Sequence, residues 1–173
     1  MSIFPTKILL ATDGSKDVEL ARTTAVDLAT TTDSELHIVI VASGYSPYGG
    51  YPSHDLRIPE VVEQLRKRAR IILDEQVQKI ERDGGNVAQK HLKITEPVGG
   101  RKRAQQIMWV AEEIEAGLIV VGTRRRGGLR RASMGSVSDS VVRHAHCPIL
   151  VVRHERQSGG AGSATSEKPL MAN

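Results

Sequence analysis

Apolar and polar positions follow two periods along this chain, and the changes between them mark its elements. Residues 7–12 (KILLAT) are a short apolar run ending in Asp13-Gly14-Ser15, which reads as a buried strand and then a turn. Val18, Ala21, Ala25, Leu28 and Ala29 follow at helical spacing, so the pattern predicts a helix over about 16–31 with Ser15 as its N-cap. Residues 35–42 (ELHIVIVA) predict a second strand, and the Gly-, Pro- and Ser-rich GYSPYGGYPSHD after it predicts a loop. Pro59 opens a long helix to about Arg82, which Gly84-Gly85 ends. Residues 87–95 (VAQKHLKIT) alternate, as an edge strand with one wet face does. Gly99-Gly100 introduce a third helix, about 102–115, ended by Gly117. The almost wholly apolar 118–122 (LIVVG) suits a central parallel strand. A Gly/Arg loop, a helix at about 136–145 and a last strand over Ile149–Arg153 complete the series.

Strands that alternate with helices in this way imply a parallel sheet covered by helices on both faces. The 173 residues suit a single α/β domain, here about 1–154, and the Gly/Ser/Ala-rich 155–173 carry too little apolar surface to join its core, so a disordered tail is expected there. Aromatics are only 3% of the chain, which requires an aliphatic core and argues against single-stranded nucleic-acid binding, where bases stack on aromatic rings. One cysteine, Cys147, allows no intrachain disulfide and points to a reducing compartment. No apolar run has the roughly 18 residues of a membrane span, and the N-terminus has no long signal-peptide core, so a cytoplasmic protein is expected.

The net charge of +4 is unevenly spread: residues 99–131 hold eight basic side chains against Glu112, Glu113 and Glu115, and an anionic partner belongs there. Arg101-Lys102-Arg103 sit near a helix N-terminus, where the helix dipole disfavours cations; full solvation or a nearby anion would each account for them.

In a sheet of this kind ligands bind beyond the carboxyl ends of the strands, where the strand order reverses. The first strand ends in Asp13 and the fourth in Gly122, followed by TRRRGGLRRASMGSVS. In that segment Gly122, Gly127, Gly128 and Gly135 allow close approach of backbone to ligand. Gly135-Ser136 stands at a helix start where free N–H groups attract anions, and Ser136 and Ser138 add hydroxyls. The segment reads as a phosphate site built on backbone amides. A Walker loop is excluded because Gly128 stands where it needs Lys, and a dinucleotide fingerprint because the first turn reads ATDGSK. No HExxH, CxxC or EF-hand spacing occurs, so no dedicated metal cage is expected. Cys147 with His144 and His146 beside it suggests packing ahead of a strand more than a nucleophile; His37, His54, His91 and His154 have no ligand spacing. Tyr45, Tyr48 and Tyr51 belong to the second loop and fit partly exposed positions.

Together the segments ILLATDGS and LIVVGTRRRGGLRRASMGSVSDSVVRHAHCPILVVR, and the spacing between them, closely resemble universal stress proteins over about residues 5–153. The resemblance implies a doubly wound α/β fold with a five-stranded parallel sheet in the order 3-2-1-4-5. Nucleotide-binding members carry the motif G-x2-G-x9-G-[ST]. Gly122, Gly135 and Ser136 stand at its positions, and Arg125 replaces its second glycine. A side chain there costs on the order of 1 kcal/mol if the backbone needs positive φ, but an arginine is also a bidentate phosphate donor. The resemblance places further adenosine contacts on Ala11, Asp13, Val41, Val121, Val137 and Ser138, with Asp13 at the ribose hydroxyls or adenine and the Val41 backbone at adenine. The implied ligand is ATP or a related adenine nucleotide, with or without Mg2+.

The resemblance also implies a homodimer paired through Ile149–Arg153, and an apolar edge ILVV agrees, since an unpaired edge of that kind invites association. A regulatory stress-response role is expected rather than an enzyme; slow ATP hydrolysis stays open, with no general base beyond Asp13. One alternative, favoured by Arg125, is a dimer of the same family that binds no nucleotide and acts through protein partners. An adenylating enzyme is a weaker rival, because the chain has neither an SGGxDS-type loop nor HxGH.

Overall fold

A computed structural model describes residues 6–43, 59–95, 99–123 and 135–153. Along the chain these form β1 (Lys7–Thr12), α1 (Glu19–Thr32), β2 (Glu35–Ser43), α2 (Pro59–Arg82), β3 (Val87–Thr95), α3 (Gly99–Glu113), β4 (Leu118–Gly122), α4 (Ser136–His144) and β5 (Ile149–Val152). All strand pairs are parallel and the order is β3-β2-β1-β4-β5, the expected 3-2-1-4-5 arrangement. The order reverses between β1 and β4.

Strand periodicity divides the core into two layers. Ile8, Leu10, Leu36, Ile38, Ile40, Leu118 and Val120 face α1 and α2, packing on Ala21, Ala25, Leu73 and Ile80. The alternate positions Leu9, Ala11, Val39, Ile119 and Val121 face α3 and α4, against Ala104, Ile107, Val110 and Val141. Both layers are aliphatic, as the scarcity of aromatic residues requires. Trp109 lies on the outer side of α3 and is half exposed.

Several boundaries differ from the sequence pattern: β2 runs one residue further, to Ser43, and β5 ends one residue earlier, at Val152. The first helix is preceded by a single 3-10 turn, Lys16–Val18, and α1 proper begins at Glu19. Ser15 takes the cap position in extended conformation, but its buried hydroxyl makes no capping bond and has no hydrogen-bond partner among the described residues. The turn instead drives Val18 into the interior, where it is 5% exposed. The third helix starts at Gly99, so both glycines lie inside its first turn, and it ends at Glu113. The left-handed residue after this helix is Glu115, at φ 55°, two positions before the Gly117 expected to end it.

Two buried polar contacts were not legible in the pattern. Arg22 on α1 is 5% exposed and pairs with Asp83, in the turn after α2, and at 3.5 Å with Glu19. His37 on β2 and His91 on β3 stack with ring centroids 5.7 Å apart, with 3.4 Å between His37 Nδ1 and His91 Nε2. Their contact depends on an irregularity at Ala88. It shifts the β2–β3 register so that Val39 opposes His91.

Arg125, the remaining Gly/Arg loop, the Tyr-bearing loop after β2 and the segment beyond Arg153 lie outside the described residues.

Candidate functional site

At the carboxyl ends of β1, β2 and β4 a cavity of about 210 Å³ opens between the sheet and the N-terminal halves of α3 and α4. Its walls divide by chemistry. Val39 and Val41 of β2, Ala11 of β1, Val121 of β4 and Ile107 of α3 form an apolar end. Asp13, Gly122, Gly135, Ser136, Ser138 and Arg103 form a polar end, with Val137 between them. Of the residues singled out in the sequence, Ala11, Asp13, Val41, Val121, Gly122, Gly135, Ser136, Val137 and Ser138 all line this cavity.

The turn after β1 is built by its own side chains. Asp13 Oδ1 accepts a 2.9 Å hydrogen bond from the Ser15 amide, and Thr12 Oγ1 accepts one of 3.1 Å from the Gly14 amide. These local bonds hold the Asp13 carboxylate at the rim of the cavity, where it is half-buried.

Packing places its own demands on the glycines. A β-carbon on Gly122 would stand 2.8 Å from Val18 Cγ1 and 3.2 Å from Val18 Cα, so Gly122 is needed for the 3-10 turn to close over the end of β4. Gly135 has φ −57° and ψ 150°, a conformation open to any residue, so no positive φ requires a glycine at this helix start. Gly100 was read only as a helix introducer. A β-carbon on it would lie 2.6 Å from Ser136 Cβ, so it lets the first turn of α3 press directly on the start of α4. Two helix N-termini therefore meet at the polar end of the cavity.

The two serines differ. Ser138 is 4% exposed, and its hydroxyl donates a 2.8 Å hydrogen bond to the Gly122 carbonyl, which commits it to joining α4 to β4. Ser136 is exposed at the first helical position of α4. Thr12, Val18, Val39 and Ile107 also line the cavity and were not placed at the site by the sequence, and Arg103 stood out there only as one of three consecutive cations. Val39 could have been found as the same-face neighbour of Val41 two positions away, and Arg103 and Ile107 as an i, i+4 pair on the helix above.

Cys147 belongs elsewhere. It borders a second cavity of about 150 Å³ near the start of β5, beside Met108 and His146. His146 sits 3.3 Å from Glu112, and burial pushes the Cys147 thiol pKa up, the direction opposite to a reactive thiolate.

These features define a doubly wound α/β protein with a cavity at the point where its strand order reverses. Residues 5–153 match the model of the universal stress protein family, and the chain belongs to that family. It is 34% identical over 152 residues to a universal stress protein of Methanocaldococcus jannaschii, covering 87% of this chain and 84% of that one. A solved structure of a universal stress protein family member from Burkholderia pseudomallei superposes with a TM-score of 0.61 at 30% identity, covering 86% of this chain and 96% of the other. The universal stress protein of Archaeoglobus fulgidus in complex with dAMP has a TM-score of 0.59 at 23% identity, covering 88% of this chain and 100% of that one, and shares the fold.

Proposed function

We propose that this chain binds ATP or a related adenine nucleotide in the cavity beside β1 and β4, and that it acts as a regulatory stress-response protein. The cavity itself carries the reading: an apolar end of Val39, Val41, Val121 and Ile107, and a polar end at the start of α4, with Asp13 and Arg103 on the same lining. The A. fulgidus relative with dAMP agrees with that choice of ligand. Asp13 accepts hydrogen bonds from ribose hydroxyls, and the amides at the start of α4 receive phosphate oxygens. Any Mg2+ is carried by the phosphates of the nucleotide. The edge strand β5, whose four residues are all half-buried in the single chain, provides the pairing surface for a homodimer.

Calorimetric titration with ATP, AMP and cyclic AMP tests the reading. Wild type binds at least one of them, and Val41→Trp, which fills the apolar end, binds it at least about tenfold more weakly, a loss of about 1.4 kcal/mol. A folded wild type that binds none of the three overturns the proposal. That result leaves a dimer acting through protein partners, the reading that Arg125 in place of the motif glycine favours.

A further inference from the structure

We infer that Arg103 is a phosphate-recognising residue of this cavity, setting its preference for a charged nucleotide over the bare nucleoside; the inference rests on the nucleotide reading above. Three consecutive cations open α3, and they are not equivalent. Arg101 and Lys102 are exposed, whereas Arg103 is half-buried and lines the cavity. Among the described residues it is the one Lys or Arg that does so, as Asp13 is the one Asp or Glu.

Its place on the helix explains what it reaches. Gly100, Arg103 and Ile107 are spaced i, i+3 and i+7 and share one face of α3. Gly100 lies against Ser136, at the start of α4. Ile107, 5% exposed, packs in the apolar layer with Val39 and Val121. Arg103 therefore stands between the apolar end and the helix start where an anion is favoured. A base seated on Val39 and Ile107 would direct its phosphates past Arg103.

The electrostatics support the same assignment. A cation in the early turns of a helix is disfavoured by the helix dipole. An anion in the cavity reverses the balance for both α3 and Arg103. The guanidinium fork suits phosphate oxygens better than a point charge would, and apolar walls strengthen the attraction by excluding water. Asp13 and Arg103 then divide the ligand: the carboxylate takes hydroxyl donors, the guanidinium takes the phosphate. Nothing in the G-x2-G-x9-G-[ST] motif contains this position.

The test compares ATP with adenosine. In wild type ATP binds more tightly than adenosine. Arg103→Gln weakens ATP by about tenfold, the cost of a charge-assisted contact, leaves adenosine within about twofold, and flattens the salt dependence of ATP binding. Arg103→Lys keeps the charge without the fork and recovers part of the loss. Thermal melts of both variants check the fold, and the lysine variant serves where glutamine is not tolerated. Equal losses for ATP and adenosine would mark Arg103 as a purely structural residue. Undiminished ATP binding by Arg103→Gln overturns the inference while the nucleotide reading survives. A wild type that binds neither compound removes both.

Discussion

The Ser138 hydroxyl donates a 2.8 Å hydrogen bond to the carbonyl oxygen of Gly122, the last residue of β4, sixteen positions earlier. It fastens the first turn of α4 to the strand end beneath it, so the polar end of the cavity is held in place by the fold itself. Ser138→Ala leaves that carbonyl without this donor and is expected to lower stability by about 1 kcal/mol in urea denaturation. Ser136→Ala, two residues away at an exposed position, is expected to stay within about 0.5 kcal/mol of wild type. Equal effects of the two would mean that the Ser138 bond contributes nothing to stability.

Arg22 and Asp83 form an unequal pair. The Arg22 side chain is 6% exposed and the Asp83 side chain 37%. Removing the cation lets Asp83 return to water, so Arg22→Met, which keeps most of the volume, is expected to change stability by less than about 1 kcal/mol. Removing the carboxylate strands a guanidinium that retains the half-exposed Glu19, 3.5 Å away. Asp83→Ala is therefore expected to cost about 2 kcal/mol. Urea melts of both variants measure the difference, and a larger loss for Arg22→Met would contradict this account.

His91 makes stability depend on pH. Burial, then the neighbouring His37, hold its imidazole below the ordinary value of 6.5; Lys93 pushes the same way and Glu113 opposes. The unfolded chain takes up a proton near pH 6.5 and the folded protein only at lower pH. Stability is therefore full above that value and falls as pH drops through it toward the folded-state pKa, by up to about 1.4 kcal/mol per pH unit. His91→Gln is expected to flatten this dependence between about pH 7 and about pH 5.5, read from urea midpoints across that range. A variant as acid-sensitive as wild type would place the dependence in other groups.

Local information reached far into this protein. Every strand is an apolar or alternating run with punctuation at its ends, and the observed limits of β1, β3 and β4 coincide with those runs: KILLAT, VAQKHLKIT and LIVVG. Asp13, Gly122, Gly135 and Ser136 could be singled out because a strand end and a helix start carry chemistry in any sheet of this type. What escaped the sequence was contact between segments distant along it. The near approach of Gly100 to Ser136, the packing of Val18 on Gly122, the His37–His91 stack and the Arg22–Asp83 pair each join residues 36 to 104 positions apart. Arg103 was visible as one of three cations in a row, but which of them faces inward depends on the rotation of α3 against the sheet. Residue type and periodicity determine which elements form and where they end, because they act through neighbouring backbone. Which side chains then meet across a cavity is decided by packing, since only the folded sheet brings the ends of β1 and β4 and the first turns of α3 and α4 to one place.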